Sequence, residues 1–161
     1  WLYYRTFKRE TAGLEHTCVY TIVSKNQPKE NVYEFVQEHT LGRGKTRTKI
    51  RMTLYATPYK TEKHSTEREN NNAMRASQNK GAEDGKKYQL IYSDYNKCDI
   101  LRILYQTNGH ACHLYHHNNT VDDGVPQECE RVYGNACGNG HPSYTQQVYY
   151  SWCKENMEST I

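Results

Sequence analysis

The residues best suited to covalent chemistry are six cysteines, which stand at irregular spacing and form no Cys-x-x-Cys pair. They are Cys18, Cys98, Cys112, Cys129, Cys137 and Cys153. Zinc sites and redox centres usually place two cysteines close together, whereas an even number at irregular spacing favours disulfides. Disulfides persist in oxidising compartments, so the sequence predicts a secreted protein whose cysteines stabilise the fold and do no chemistry.

Four histidines lie close together near the middle of the second half of the chain, at His110, His113, His116 and His117. On a helix, three of them would share a face and suggest a metal site. The segment is predicted to be a strand, however, and successive side chains of a strand point to opposite sides. His113 and His117 would then face one way, and the other two would face the opposite way. We therefore predict no metal site.

Motifs of enzymes are missing from the sequence. The run from Gly42 to Thr46 resembles the end of a phosphate-binding P-loop, but that motif needs a glycine where this chain has His39. Neither the Gly-x-Ser-x-Gly turn of hydrolases nor the His-Glu-x-x-His helix of metalloproteases occurs. The sequence predicts a binding protein with no catalytic residues and no cofactor.

Five cations alternate with uncharged residues in one stretch: Arg43, Lys45, Arg47, Lys49 and Arg51. In a strand they would share one face and form a row roughly 26 Å long, at about 3.3 Å per residue. Burying unpaired cations is costly, so this row must face solvent while the residues between them, through Leu54, point inward. The row either discourages edge pairing or docks an acidic host protein or a sulfated polysaccharide.

The elements that position these residues are predominantly β-strands. Segments rich in Tyr, Val, Ile and Thr and bounded by Gly, Pro, Asn or Lys predict strands. A weak strand is placed within the polar stretch 60–86, because so long a loop is uncommon in a compact domain. The eight predicted strands are Trp1–Lys8, Thr17–Ser24, Asn31–Glu38, Thr48–Tyr55, Ala73–Gln78, Lys87–Asp94, Cys98–Tyr105 and His110–His116. One helix is predicted at Pro126–Asn135, capped by Asp122 or Asp123.

Composition agrees with a single domain over residues 1–161. Mean hydropathy is −1.04, so three disulfides would supplement a thin core at about 2–4 kcal/mol each. No apolar run approaches the roughly 20 residues that span a bilayer, and a net charge of +3 does not point to nucleic acid. Asn118 begins a glycosylation sequon, and the start at Trp1 without a leader suggests a mature or trimmed secreted product. We expect the protein to be a monomer.

Several stretches in the second half of the chain resemble one known family. Tyr92-Ser93-Asp94 leads into Cys98-Asp99-Ile100-Leu101, and Cys112-His113-Leu114-Tyr115 follows. Val125-Pro126-x-x-Cys129, Cys137-Gly138 and Cys153 complete the order. This order and spacing resemble the lipocalins of tick saliva, which include histamine-binding proteins. The resemblance implies an all-β fold, an eight-stranded antiparallel lipocalin barrel with a C-terminal helix and three disulfides.

The resemblance also implies a disulfide pairing and a ligand pocket. Six cysteines permit fifteen pairings, and the family pattern implies Cys18–Cys153, Cys98–Cys129 and Cys112–Cys137. Small-ligand pockets combine aromatic walls with a few polar groups. The candidate pocket residues are Tyr33, Phe35, Tyr55, Tyr92, Asp99, His113 and Tyr115.

One position departs from the amine-binding members of the family. Where they have an acidic residue followed by Leu-Trp, this chain has His113 and Tyr115. A neutral imidazole cannot serve as the counter-charge of an amine, and a protonated one would repel it. Asp99 does match the family pattern and keeps one acid in the pocket.

Two functions are compatible with this sequence, both by stoichiometric binding that suppresses host defence at a feeding site. In the first, the cationic row binds a host effector protein, such as a complement component. In the alternative, the barrel sequesters a small inflammatory mediator such as histamine, serotonin or a leukotriene. The polar composition and the altered amine pocket narrowly favour the first, while Asp99 and the many tyrosines favour the second.

Overall fold

The chain forms one curled antiparallel sheet, which the computed structural model describes for residues 1–24, 31–43, 47–62, 69–138 and 145–156. Its strands are β1 Leu2–Arg5, β2 Glu10–Thr11, β3 Leu14–Val23, β4 Tyr33–Leu41, β5 Thr48–Tyr59, β6 Ala73–Ser77, β7 Lys86–Ser93, β8 Cys98–Ile103, β9 Ala111–His116 and β10 Gln146–Gln147. Helix α1 spans Gln127–Cys137, and 3₁₀ turns occur at Thr107–Gly109, Val121–Asp123 and Ser151–Asn156. Of the described helices, none is both long and apolar enough to cross a membrane.

The strands follow one another as neighbours from β2 to β9, after which β1 and then β10 complete the sheet. The C-terminal segment lies between β1 and β3 and brings the two sides of the sheet together. The Val148 N–H donates to the Tyr3 carbonyl at 2.9 Å, and the Val148 carbonyl accepts from the Cys18 N–H at 2.9 Å. The curled sheet thereby encloses an interior space.

The predicted fold is confirmed, including a strand in each of the eight predicted segments. Strands β2 and β10 were not predicted, because a two-residue strand carries no periodic pattern. The helix begins after Pro126 and not after an aspartate, since Asp122 and Asp123 belong to a separate 3₁₀ turn. Gly138, with a φ of 132°, ends the helix.

Three disulfides connect the helix and the tail to the sheet, with the predicted pairing. Cys98–Cys129 and Cys112–Cys137 attach α1 to β8 and β9. Cys18–Cys153 attaches the tail to β3. The residues facing α1 on the outside of the sheet are the buried Cys98, Ile100, Cys112 and Leu114, together with Cys129 and Tyr133 of the helix. Because alternate residues of a strand face opposite ways, their neighbours in β8 and β9 face the interior.

Candidate functional site

The curled sheet encloses a cavity of about 670 Å³. Its middle is lined by apolar side chains from several strands, including Leu2, Val19, Phe35, Leu54, Ala56 and Leu101. This volume lies within the roughly 300–1,000 Å³ of known small-molecule sites. The cavity is therefore the candidate binding site.

Strand periodicity decides which predicted residues line the cavity. Tyr33 and Phe35 of β4, Asp99 of β8, and His113 and Tyr115 of β9 all do so. Each follows the two-residue alternation of its strand, and Asp99 stands directly opposite Tyr115 in the β8–β9 pairing. Five of the seven predicted pocket residues thus lie on the cavity wall.

The prediction was wrong for Tyr55 and Tyr92, which are not among the lining residues. Tyr55 lies between Leu54 and Ala56, which both face the cavity, so its own side chain faces away. Tyr92 packs on the outer cluster beneath α1. A bulge between Leu90 and Tyr92 shifts the register of β7, and no residue pattern in this segment predicts it.

One end of the cavity, which we call the basic end, consists of Arg5, Arg9, His16, His39 and His113. Arg5 stands opposite His113 in the pairing of β1 with β9. His16 and His39 stack with their ring centroids 4.2 Å apart. Of these five residues, only His113 was predicted to lie in the pocket. The others become its neighbours through the pairing of β1 with β9 and of β3 with β4.

Positive charge at the basic end comes from the two arginines. Burial lowers the pKa of His113 to about 3 and, with the nearby His39 and arginines, that of His16 to about 4. Burial also lowers the pKa of His39. All three imidazoles are therefore neutral near pH 7, while Arg5, whose pKa burial lowers to about 10, stays charged.

The Arg5 guanidinium is fixed by contacts with uncharged groups. It donates from Nη2 to the His16 carbonyl at 2.7 Å and from Nε to Gln146 Oε1 at 3.2 Å. Arg9 is half-buried, and no ion pair joins it to an acid among the described residues. Among the described residues that line the cavity, only Asp99 has a carboxylate.

The opposite end carries Asp99 together with Tyr33, His117 and Asn118, and we call it the mouth because these residues are more exposed than the buried Arg5 and histidines of the basic end. Asp99 accepts a hydrogen bond from Ser93 Oγ at 2.6 Å, and its other oxygen lies 3.0 Å from His117 Nε2. Asp99 and His117 are each about one-third exposed, so water reaches this pair. The cavity therefore has cationic side chains at one end and a carboxylate at the other.

Asn118, the first residue of the predicted sequon, is exposed in the turn that follows β9. Its Oδ1 accepts a hydrogen bond from the Trp1 indole N–H at 2.8 Å. Glycosylation at this residue stays a prediction.

The cationic row is not one continuous strand face, because β5 begins at Thr48. Of the row's residues that the structure describes, Lys49 and Arg51 lie within this strand, and both are exposed. Lys45 lies outside the described residues. Arg43 and Arg47 lie instead against the C-terminal tail, over the rings of Tyr150 and Trp152 at 5.1 Å and 4.6 Å.

Acids on the neighbouring strands neutralise part of this row. Arg43 forms an ion pair with Glu15 at 2.7 Å, and Arg51 forms one with Glu38 at 3.2 Å. These acids belong to β3 and β4, so the absence of acids within the row itself did not reveal them. A partner-binding role for the row stays a prediction.

A comparison with known protein families identifies the family to which the chain belongs. The model of the tick histamine binding protein family matches residues 1–155. The chain belongs to this family. It is thus a tick lipocalin and a non-enzymatic binding protein, and its three disulfides are consistent with secretion. No curated protein matches the sequence significantly.

Proposed function

We propose that this protein sequesters a small inflammatory mediator in the cavity, and that the mediator has an acidic head group on an apolar body, as a leukotriene does. The observation that carries the proposal is the basic end at the bottom of an apolar cavity. The alternative function from the sequence is thereby preferred to the binding of a host protein. The family name, which gives histamine as a ligand, supports a small mediator as the ligand; the acidic head group rests on the basic end alone, since histamine is a cation.

The apolar middle of the cavity supplies the affinity in this proposal. Each buried methylene contributes about 0.8 kcal/mol, so a long hydrocarbon chain gains much of its binding free energy from contact with Phe35, Leu54 and Leu101. Histamine has no such chain and would leave most of the 670 Å³ to water.

The basic end supplies the specificity for an acid. A carboxylate that leaves water needs a charged or hydrogen-bonding partner. Arg9 lies at the cavity surface without an ion pair to an acid in the described part of the chain. Arg5 is so fully held by the His16 carbonyl and Gln146 that it contributes mainly through its field. Arg9 is therefore the proposed direct partner of the acidic head group.

Calorimetry with arachidonate and with arachidonyl alcohol tests this proposal. The two ligands share a hydrocarbon chain and differ in the acidic group. The Arg9→Gln variant removes the proposed partner, and Arg131→Gln, which changes an exposed arginine on α1, is the matched control. A hydrogen bond to a charged group contributes about 1.5–3 kcal/mol, so Arg9→Gln should weaken arachidonate binding roughly 10- to 150-fold.

The alcohol should bind more weakly than the acid to the unmodified protein, and Arg9→Gln should barely change its affinity. Equal binding of acid and alcohol, or an unchanged arachidonate affinity in Arg9→Gln, would contradict the assignment of the head group. Binding of none of the mediators, including histamine and serotonin, would contradict sequestration itself.

A cationic amine at the mouth is the second candidate. Asp99 is favoured here because it alone among the described lining residues offers a counter-charge to an ammonium group. Under this candidate, Asp99→Asn should reduce histamine or serotonin affinity and leave arachidonate binding unchanged. The two candidates are separable, since Asp99 and Arg9 belong to opposite ends of the cavity.

The binding of a host effector protein such as a complement component remains a third possibility from the sequence. In the described part of the cationic row, Arg43 and Arg51 form ion pairs with Glu15 and Glu38, which weakens the field that would attract an acidic protein. Changing Lys45, Arg47 and Lys49 to Glu tests it by capture from host plasma. Unchanged capture would remove the row from consideration.

A further inference from the structure

We infer that Asn118 carries an N-linked glycan and that this glycan stands at the mouth of the cavity, where it slows the entry and exit of ligand. The sequon Asn118-Asn119-Thr120 lies in an exposed turn, the kind of position that glycosylation requires. Three intramolecular disulfides and membership of the tick lipocalin family are consistent with passage through the secretory pathway, where this modification is made.

The position of Asn118 connects the modification to the cavity. Asn118 lines the mouth beside His117 and Asp99. Trp1, which also lines the cavity, donates its indole N–H to the Asn118 Oδ1 at 2.8 Å. A glycan is attached through the amide nitrogen, Nδ2, so the oxygen can keep this bond. The first sugar is therefore held at the edge of the mouth and not on a remote surface.

A bulky group at an entrance acts on rates more than on affinity. It obstructs a ligand that enters and a ligand that leaves to a similar degree, while the contacts inside the cavity stay the same. The association and dissociation rate constants should fall together and leave Kd almost unchanged. For a scavenger, slow release prolongs the retention of each captured molecule.

The test uses protein secreted from insect cells, with the variants Thr120→Ala and Asn119→Gln. Thr120→Ala destroys the sequon but keeps Asn118 and its bond to Trp1. Asn119→Gln is the matched control, because it changes the same turn and leaves the sequon intact. Intact mass before and after endoglycosidase digestion measures occupancy. Digestion of the unmodified chain to a single sugar gives a second comparison without any substitution.

Stopped-flow fluorescence with anilinonaphthalene sulfonate measures the rates, because this dye needs an apolar cavity and no particular mediator. Protein without the glycan should bind and release the dye about threefold or more faster, with little change in Kd. A secreted protein without sugar mass would overturn the inference. Equal rates in both forms would overturn the role at the mouth, and failure of the dye to bind would do the same.

The kinetic part of this inference rests on the proposed sequestering function, but the two can fail separately. If arachidonate, histamine and serotonin all fail to bind while the glycan still slows dye exchange, the proposed function is wrong and the inference holds. If arachidonate binds with the expected dependence on Arg9 while the dye rates are the same with and without the glycan, the proposed function holds and the role of the glycan at the mouth is wrong.

Discussion

His113 lies where a charge would be least tolerated. It is buried in the wall of the cavity, its ring stacks on Phe7 with centroids 5.4 Å apart, and its Nδ1 has no hydrogen-bond partner. Arg5 and Arg9 add repulsion to the cost of desolvating an imidazolium. The folded state therefore favours the neutral form of His113, and protonation of this ring should destabilise the protein.

This neutrality predicts a loss of stability in mild acid. The pKa of His113 is about 3 in the folded protein and about 6.5 when unfolded, so the unfolded chain binds the proton more tightly. The stabilisation is fully present above pH 6.5 and is lost as the pH falls toward 3. Each pH unit in this window costs up to about 1.4 kcal/mol for one imidazole.

Urea unfolding at pH 6.5 and pH 5 measures this dependence. His113→Phe keeps a ring on Phe7 but removes the titrating group, so its free energy of unfolding should fall less between the two pH values. His110→Phe, at an exposed position, is the control and should keep the full dependence. An identical pH dependence in His113→Phe and the parent chain would rule out this role of His113.

The C-terminal tail is the element that completes the enclosure of the cavity, and the Cys18–Cys153 disulfide holds it there. This bridge joins residues 135 positions apart, whereas Cys112 and Cys137 are only 25 apart. Because the chain entropy lost by the unfolded state grows with loop length, the Cys18,Cys153→Ser pair should cost about 1.5 kcal/mol more than the Cys112,Cys137→Ser pair.

Denaturant unfolding of the two double variants, each with the other disulfides intact, gives this difference. Both proteins should also be compared for dye binding, since loss of the tail opens the side of the cavity whereas loss of the helix bridge does not. A larger cost for the shorter bridge would show that local packing of α1 outweighs loop entropy.

The hairpin between β6 and β7 has one position where a side chain does not fit. A Cβ on Gly85 would lie 2.8 Å from Arg75 Cγ and 3.0 Å from the carbonyl oxygen of Ala76. The side-chain atom can move but the backbone oxygen can do so only with its strand. Gly85→Ala should therefore destabilise the protein by roughly 1–3 kcal/mol, measured by urea unfolding, and the neighbouring exposed change Asp84→Ala should not. Equal stability of the two variants would mean that the hairpin adjusts freely.

On the scale of the whole molecule, a ligand that fills the cavity should raise the stability of the folded protein. A ligand that binds only the folded state stabilises it by about 2.7 kcal/mol at a concentration of 100 Kd. For a chain of this length, that corresponds to a rise in Tm of roughly 5–10 °C.

Scanning calorimetry with and without arachidonate should show this rise in the parent chain. The rise should shrink in Arg9→Gln at the same ligand concentration, because fewer sites are filled. Cavity occupancy would be excluded if a saturating ligand left Tm unchanged.

The parts of this protein that the sequence determined are those with local signals. Segments rich in Tyr, Val, Ile and Thr between turn-forming residues identified seven strands, and the length of the polar stretch 60–86 suggested the eighth. The order and spacing of the cysteines, through the family resemblance, gave all three disulfides. Tyr33, Phe35, Asp99, His113 and Tyr115 were named as pocket candidates from their residue types and from the family resemblance, and in the structure all five line the cavity. Each of these inferences needs only neighbouring residues or a known pattern.

Tertiary structure alone decided how the cavity is charged. A bulge in β7 turned Tyr92 outward, and the pairing of β1 with β9 set Arg5 opposite His113. The pairing of β3 with β4 brought His16 beside His39, and acids from β3 and β4 neutralised cations before and within β5. These contacts join residues far apart in the chain, and register and curvature are sums over many weak interactions that no single segment encodes.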